Sequence, residues 1–123
     1  MKVLVVDDSK AIRSVLGRIM REVGFSVCDA GHGIEALEQL EREGPFDLAL
    51  VDWNMPQMNG YDFIRTARAR YPDGTMQIMM VTSESEMPQV VRALEAGANE
   101  YIMKPFTAEA LREKLGILGL YTT

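Results

Sequence analysis

The chain has 123 residues, 47% of them apolar and 25% charged, and carries a net charge of −5 from 18 acidic and 13 basic residues. That length holds one domain, whose core can bury roughly two-thirds of the unfolded surface, so folding needs neither a disulfide nor a structural metal. The acidic balance argues against a nucleic-acid or anionic-membrane binder, and the single cysteine, Cys28, excludes an internal disulfide and a multi-cysteine zinc site.

At the N-terminus only four apolar residues, 3–6, precede Asp7 and Asp8. An export signal needs a longer apolar core, and no other run approaches the length of a membrane span. A cytoplasmic protein is expected. Five short apolar runs follow one another along the chain: 3–6, 25–28, 48–51, 78–81 and 101–103. Bounded by Asp, Gly or Pro, they fit strands buried on both faces of a parallel sheet.

Helical patterns lie between and after these runs. Ile12, Val15, Leu16, Ile19, Met20 and Val23 recur at steps of three and four, and Gly24 stands where a helix is closed. Ile34, Leu37 and Leu40 give a second helix that ends at Gly44-Pro45. Asn59 caps a third, with Phe63, Ile64 and Ala67 inward and Arg65, Arg68 and Arg70 on a solvated face. Ser85, with Pro88 in the first turn, opens a fourth carrying Val90, Val91 and Leu94 and closed by Gly97. Thr107 caps the fifth, and Phe106 and Leu111 occupy the two positions of a hydrophobic staple. Gly116 and Gly119 are expected to end that helix early. Five successive β-α pairs imply an α/β fold: a doubly wound five-stranded parallel sheet with right-handed crossovers and the flavodoxin-like order 2-1-3-4-5.

In such a sheet ligands bind beyond the carboxyl ends of the strands. The first run is followed there by Asp7 and Asp8, the third by Asp52, the fourth by Thr82, Ser83 and Glu84, and the fifth by Lys104-Pro105. Two carboxylates about 5 Å apart repel by roughly 3 kcal/mol at an effective dielectric of 20. Three close carboxylates therefore need compensation beyond Lys104. Asp residues without His or Cys suit Mg²⁺, which keeps waters and leaves room for a phosphate oxygen. A carboxylate beside Mg²⁺, with Thr and Lys opposite, is equipment for forming an acyl phosphate. No P-loop motif is present, so a nucleotide site of that kind is excluded.

Together these residues resemble the receiver domain of bacterial two-component response regulators. The likeness runs from Lys2 to about Leu118 and rests on Val-Val-Asp-Asp at 5–8, Val-Asp-Trp-Asn-Met-Pro at 51–56 and Met-Asn-Gly at 58–60. It continues through Val-Thr-Ser-Glu at 81–84, Glu-Ala-Gly-Ala at 95–98 and Tyr-Ile-Met-Lys-Pro-Phe at 101–106. The resemblance implies that Asp52 accepts a phosphoryl group from the phosphohistidine of a histidine kinase. Asp7, Asp8, Asp52 and the backbone carbonyl of Asn54 would hold Mg²⁺, Asp7 mainly through water. Lys104 would pair with the phosphoryl group, Pro105 would follow a cis peptide, and Thr82 and Tyr101 would form the switch. Asn54 and Glu84 would influence the water that removes the phosphoryl group, a self-directed chemistry and not an enzyme's turnover of free substrate. The fourth helix, fifth strand and fifth helix would bind the downstream target.

Trp53 and Thr82-Ser83-Glu84 resemble the single-domain chemotaxis members, whose target would be the flagellar motor switch. The implied state is a monomer, or a dimer formed weakly on phosphorylation, without direct contact to nucleic acid or membrane. One domain over 1–123 is expected, whole or trimmed from a DNA-binding regulator. Two other functions stay open: a relay intermediate passing its phosphoryl group to a histidine phosphotransfer domain, and a Mg²⁺-dependent phosphohydrolase acting through an aspartyl phosphate. The latter needs a general acid, and its familiar form has a second Asp where this chain has Asn54. Taken singly, each site residue has a plainer role, such as helix-start acids for Asp7 and Asp8 or a solvated loop lysine for Lys104. Tyr101 could be plain sheet packing, His32 a helix-start residue, Cys28 a small buried strand residue, and Trp53 is expected partly exposed beside the site.

Overall fold

The structure is a computed structural model and describes residues 1–53, 55, 57–72 and 74–121. Its strands are β1 (Lys2–Val6), β2 (Ser26–Ala30), β3 (Leu48–Asp52), β4 (Gln77–Thr82) and β5 (Glu100–Met103). The α-helices are α1 (Lys10–Val23), α2 (Gly33–Glu43), α3 (Gly60–Arg70), α4 (Val90–Ala96) and α5 (Ala108–Ile117). All strand pairings are parallel, in the order β2-β1-β3-β4-β5. This is the doubly wound α/β arrangement that the β-α alternation predicts.

Strand alternation divides the core in two. Val3, Val5, Leu48, Leu50, Met79 and Val81 pack with Leu16 and Met20 of α1 and Leu111 and Leu115 of α5. Leu4, Val6, Ala49, Val51, Ile78 and Met80 face the other way, against Ala36 and Leu40 of α2, Phe63 and Ile64 of α3 and Ala93 of α4. Every residue of β3 is buried, so the strand that ends in Asp52 is the sheet's most enclosed. No described helix is long and apolar enough to cross a membrane.

Four helix starts are capped by the side chains of Ser9, His32, Asn59 and Thr107, each accepting from the amide three residues on. The fourth helix begins differently from the expectation. Ser83, not Ser85, is the cap: its amide donates to the Glu86 carboxylate at 3.0 Å in a capping box. A 3-10 turn over Glu84–Gln89 follows, and α4 proper starts only at Val90. Pro88 lacks an N–H and disfavours α geometry in the residue before it, which accounts for the tighter turn.

Other expectations are corrected by the packing. Of the expected stripe of α4, Val90 is buried, together with Ala93, whereas Val91 and Leu94 are 61% and 42% exposed. Ile34 also faces outward, because Ala36 and Leu40 form the inner stripe of α2. Cys28 is only half-buried, on the edge strand β2. The fifth helix does not stop early: it runs through Gly116 to Ile117. The chain then turns at Gly119, so the Leu120 amide reaches the Leu115 carbonyl at 2.8 Å.

Arg68 is no solvated helix residue. Its guanidinium donates to the carbonyls of Gly97 (2.8 Å), Met76 (2.5 Å) and Tyr71 (3.2 Å) and to Asn99 Oδ1 (2.5 Å). Gly97 has φ 123°, and a Cβ there would lie 2.5 Å from Arg68 Cγ, so only glycine lets the α4–β5 turn close over this side chain. Arg68→Ala is expected to lower stability by about 2 kcal/mol in urea unfolding, since it leaves carbonyls without partners. A change within error would show that water replaces the guanidinium freely.

Candidate functional site

β1 and β3 are adjacent and in register from Val3↔Leu48 to Val6↔Val51, so the residues after their ends share one edge. That places Asp7 and Asp8 beside Asp52. One oxygen from each of the three carboxylates lies within 4.8 Å of the others. Asp7 and Asp52 are buried, at 1% and 4% exposure, whereas Asp8 is exposed. Lys104 comes from beyond β5 and places Nζ 3.3 Å from Asp52 Oδ1 and 3.6 Å from Asp7 Oδ2. The Lys104 amide also donates to the Thr82 carbonyl at 2.6 Å, tying the ends of β4 and β5 together. The Lys104-Pro105 peptide is cis.

Local contacts hold Asp7 and Asp52 in place. Asp7 Oδ1 accepts from the Ser9 amide at 2.8 Å, and Arg13 of α1 donates to the Asp7 carbonyl at 2.7 Å. Arg13 in turn pairs with Asp29 of β2 at 2.9 Å. Asp52 is braced from the far side by the start of α3, where the Gly60 amide donates to the Trp53 carbonyl at 2.8 Å. A Cβ at Gly60 would stand 2.9 Å from the Asp52 carbonyl oxygen and 3.0 Å from Trp53 Cα, so the approach requires glycine. Trp53 is buried, contrary to expectation, with its ring edge-on to Tyr61 at 6.2 Å. The Arg92 guanidinium of α4 covers Tyr61 at 4.5 Å.

Burial dominates the electrostatics of the two enclosed acids. Burial is the main cause that pushes the Asp52 carboxyl up to about 6; the Asp7 charge adds to this, and Lys104 opposes it. Burial also raises Asp7, against the lowering effects of the Ser9 amide and Lys104. Lys104 is held above the ordinary lysine range, because the charges of Asp52 and Asp7 outweigh its own partial burial.

Asp7 Oδ2 is buried and accepts no hydrogen bond among the described residues. A buried carboxylate oxygen without a donor, inside an all-oxygen group of three acids, fits a hard cation such as Mg²⁺. Asn54, expected to add a backbone carbonyl and to influence dephosphorylation, lies outside the described residues.

Thr82 is 2% exposed, and among the described residues its hydroxyl makes a single long contact, to the Ser83 carbonyl at 3.3 Å. Tyr101 pairs with Met80 across β4 and β5, so Thr82, two residues beyond Met80, shares its sheet face. Tyr101 is half-buried, with the Lys114 ammonium 4.6 Å from its ring. Glu84 is exposed at the start of the 3-10 turn. Glu86, not singled out in the sequence, is the acid of that turn whose charge reaches Asp52 and Lys104. Its signal was present as Ser-x-x-Glu at 83–86.

Comparison with known proteins gives this geometry a family. The family described as "Response regulator receiver domain" matches residues 3–116. The chain belongs to it. Among curated relatives, the receiver is 41% identical over 119 residues to chemotaxis protein CheY1 of Helicobacter pylori, covering 96% of each chain. It is 42% identical over 121 residues to a chemotaxis protein CheY homolog of Campylobacter jejuni, covering 97% of this chain and 93% of that one. Among solved structures it is similar to the Vibrio cholerae chemotaxis protein CheY4, with a TM-score of 0.86, 33% identity and coverage of 94% and 96%. The receiver is thus a CheY-like signalling domain of the two-component type.

Proposed function

We propose that this receiver is a phosphorylation-driven switch in the cytoplasm. Asp52 accepts a phosphoryl group from a histidine kinase, and the altered site changes how α4, β5 and α5 bind a target protein. The observation that carries the reading is the Asp52 carboxylate, buried at the end of the central strand, 3.3 Å from Lys104 and grouped with Asp7 and Asp8.

In the transfer, an Asp52 oxygen attacks phosphorus, the bond from phosphorus to the donor's imidazole nitrogen breaks, and that nitrogen keeps the electron pair. Asp52 becomes an acyl phosphate. Lys104 is positioned to pair with the phosphoryl oxygens, because its ammonium already contacts Asp52. Asp7, Asp8 and Asp52, with the Asn54 carbonyl, would hold Mg²⁺, which when bound would neutralise charge on the carboxylates and the phosphoryl oxygens. The Thr82 hydroxyl donates to the Ser83 carbonyl at a long 3.3 Å and can turn toward the new phosphoryl oxygens. Tyr101, on the same sheet face, would follow into the space that Thr82 leaves. Asn54 and Glu84 would influence the water that later removes the phosphoryl group.

The output surface has the character of a protein-binding face. Val91 and Leu94 of α4, Met103 of β5 and Ile117 of α5 are all exposed large apolar residues. The relatives named chemotaxis proteins make a flagellar motor switch the target we favour, with the receiver acting as a single domain. Phosphorylation would shift a pre-existing equilibrium between inactive and active forms of this face.

The test is intact-mass spectrometry after incubation with acetyl phosphate. A gain of one phosphoryl group that requires Mg²⁺ is expected. No gain under any condition would overturn the reading. Repeated turnover of ordinary phosphate monoesters would point instead to the phosphohydrolase.

A further inference from the structure

We infer that Glu86 is a built-in brake on phosphoryl loading: a carboxylate latched to the Ser83 amide, on the recess wall that Thr82 shares, which repels the incoming phosphoryl group. The inference rests on the phosphoacceptor reading of Asp52.

The latch is geometric. Glu86 Oε1 accepts from the Ser83 amide at 3.0 Å, and the Glu86 amide donates to the Ser83 carbonyl at 3.0 Å. Ser83 directly follows Thr82 at the end of β4, so the box fixes Glu86 within one short turn of the phosphoryl-binding hydroxyl. Glu86 is only partly exposed and lines a narrow recess with Trp53, Thr82 and Val90. Its charge raises the proton affinity of both Asp52 and Lys104, as a nearby anion must. Asp7, Asp8 and Asp52 have a cation role to fill; Glu86 stands outside their group. It therefore sets a further carboxylate beside a site that must accept more negative charge.

Loading forms a bond from an Asp52 oxygen to phosphorus and releases acetate from acetyl phosphate. The carboxylate's single charge becomes up to two on the acyl phosphate, a net gain of one, and that charge is spread over oxygens reaching farther from Asp52. Its repulsion by Glu86 raises the free energy of the loaded state, and relief requires Glu86 to leave the recess. That movement would break the capping box and loosen the turn that leads into α4.

Glu86→Gln separates charge from latch, since the amide oxygen can still accept from Ser83. With Mg²⁺ present, the variant is expected to reach half-maximal loading at about one-fifth of the acetyl phosphate concentration that the parent needs in low salt. The gap should close in about 1 M salt, where the Debye length is about 3 Å. Glu95→Gln, which removes an exposed carboxylate on α4, should load like the parent. Equal loading of Glu86→Gln and parent in low salt would overturn the brake and leave the receiver chemistry standing. An equal gain from Glu95→Gln would also overturn it, since net charge alone would then be responsible. Failure of both parent and Glu86→Gln to gain mass would overturn the phosphoacceptor reading, and the brake with it.

Discussion

Asp52→Asn is expected to abolish the Mg²⁺-dependent gain of a phosphoryl group from acetyl phosphate, with no labelling transferred to another residue. The carboxamide keeps the shape of Asp52 but loses the anionic oxygen that attacks phosphorus, so the loss is complete and not partial. Asp7 cannot substitute. Its Oδ1 is engaged by the Ser9 amide, its Oδ2 faces Lys104 at 3.6 Å, and it sits on a different strand end. Asp8 is exposed, unlike the other two. Intact mass on parent and variant, with and without Mg²⁺, decides the matter. A variant labelled as well as the parent would refute the assignment of Asp52, and labelling that survives without Mg²⁺ would refute the role given to the acidic group.

The same substitution should stabilise the metal-free protein. Asp52 titrates near 6 in the folded chain against 3.8 as an unperturbed group. A folded carboxyl raised in this way binds its proton more tightly than the unfolded one. The protein is therefore free of the penalty below pH 3.8, acquires it between there and about 6, and carries it in full at neutral pH. Ionising Asp52 then costs about 3 kcal/mol at pH 7, taking about 1.36 kcal/mol for each unit of displacement. Asp52→Asn removes that cost. In chelator-treated samples, urea unfolding should find the variant more stable by about 2–3 kcal/mol at pH 7, with the difference shrinking toward zero near pH 4. Added Mg²⁺ should stabilise the parent more than the variant, because the parent offers one more carboxylate. A difference independent of pH would mean that the carboxyl is solvated in the folded protein and that packing alone explains the change.

Both expectations come from one feature: a signalling site placed in the most buried strand carries an electrostatic strain that the scaffold must hold. The brace by Gly60, the Ser9 amide on Asp7 and the Lys104 ion pairs are the holding contacts. If Glu86 contributes as inferred, the strain extends into the turn before α4. The chemistry at Asp52 and the position of α4 would then share a carboxylate.

The amino-acid sequence by itself determined the alternation of strands and helices and the core strands. It also determined the identity of every residue at the strand ends. Those features are local. Period, caps and strand-end acids are read within a few residues, and the parallel topology then delivers Asp7, Asp8, Asp52, Thr82 and Lys104 to one edge. Only the tertiary structure decided which faces those helices bury. Val90, Val91 and Leu94 match a helical stripe in the sequence, yet of these Val90 alone is buried, with Ala93 beside it. Arg68 looked like its solvated neighbours, because its partners at Gly97 and Asn99 lie 29 and 31 residues away. Trp53 reads as a site-loop residue and is instead drawn into the core against Tyr61. The Ser83–Glu86 box was legible as a spacing, but Ser85 and Pro88 competed for the same helix start. Its relation to Asp52 arises across the sheet, between β3 and β4. Short-range chemistry is written along the chain; which charge faces which, and what each side chain is buried against, depends on contacts that exist only once the sheet has formed.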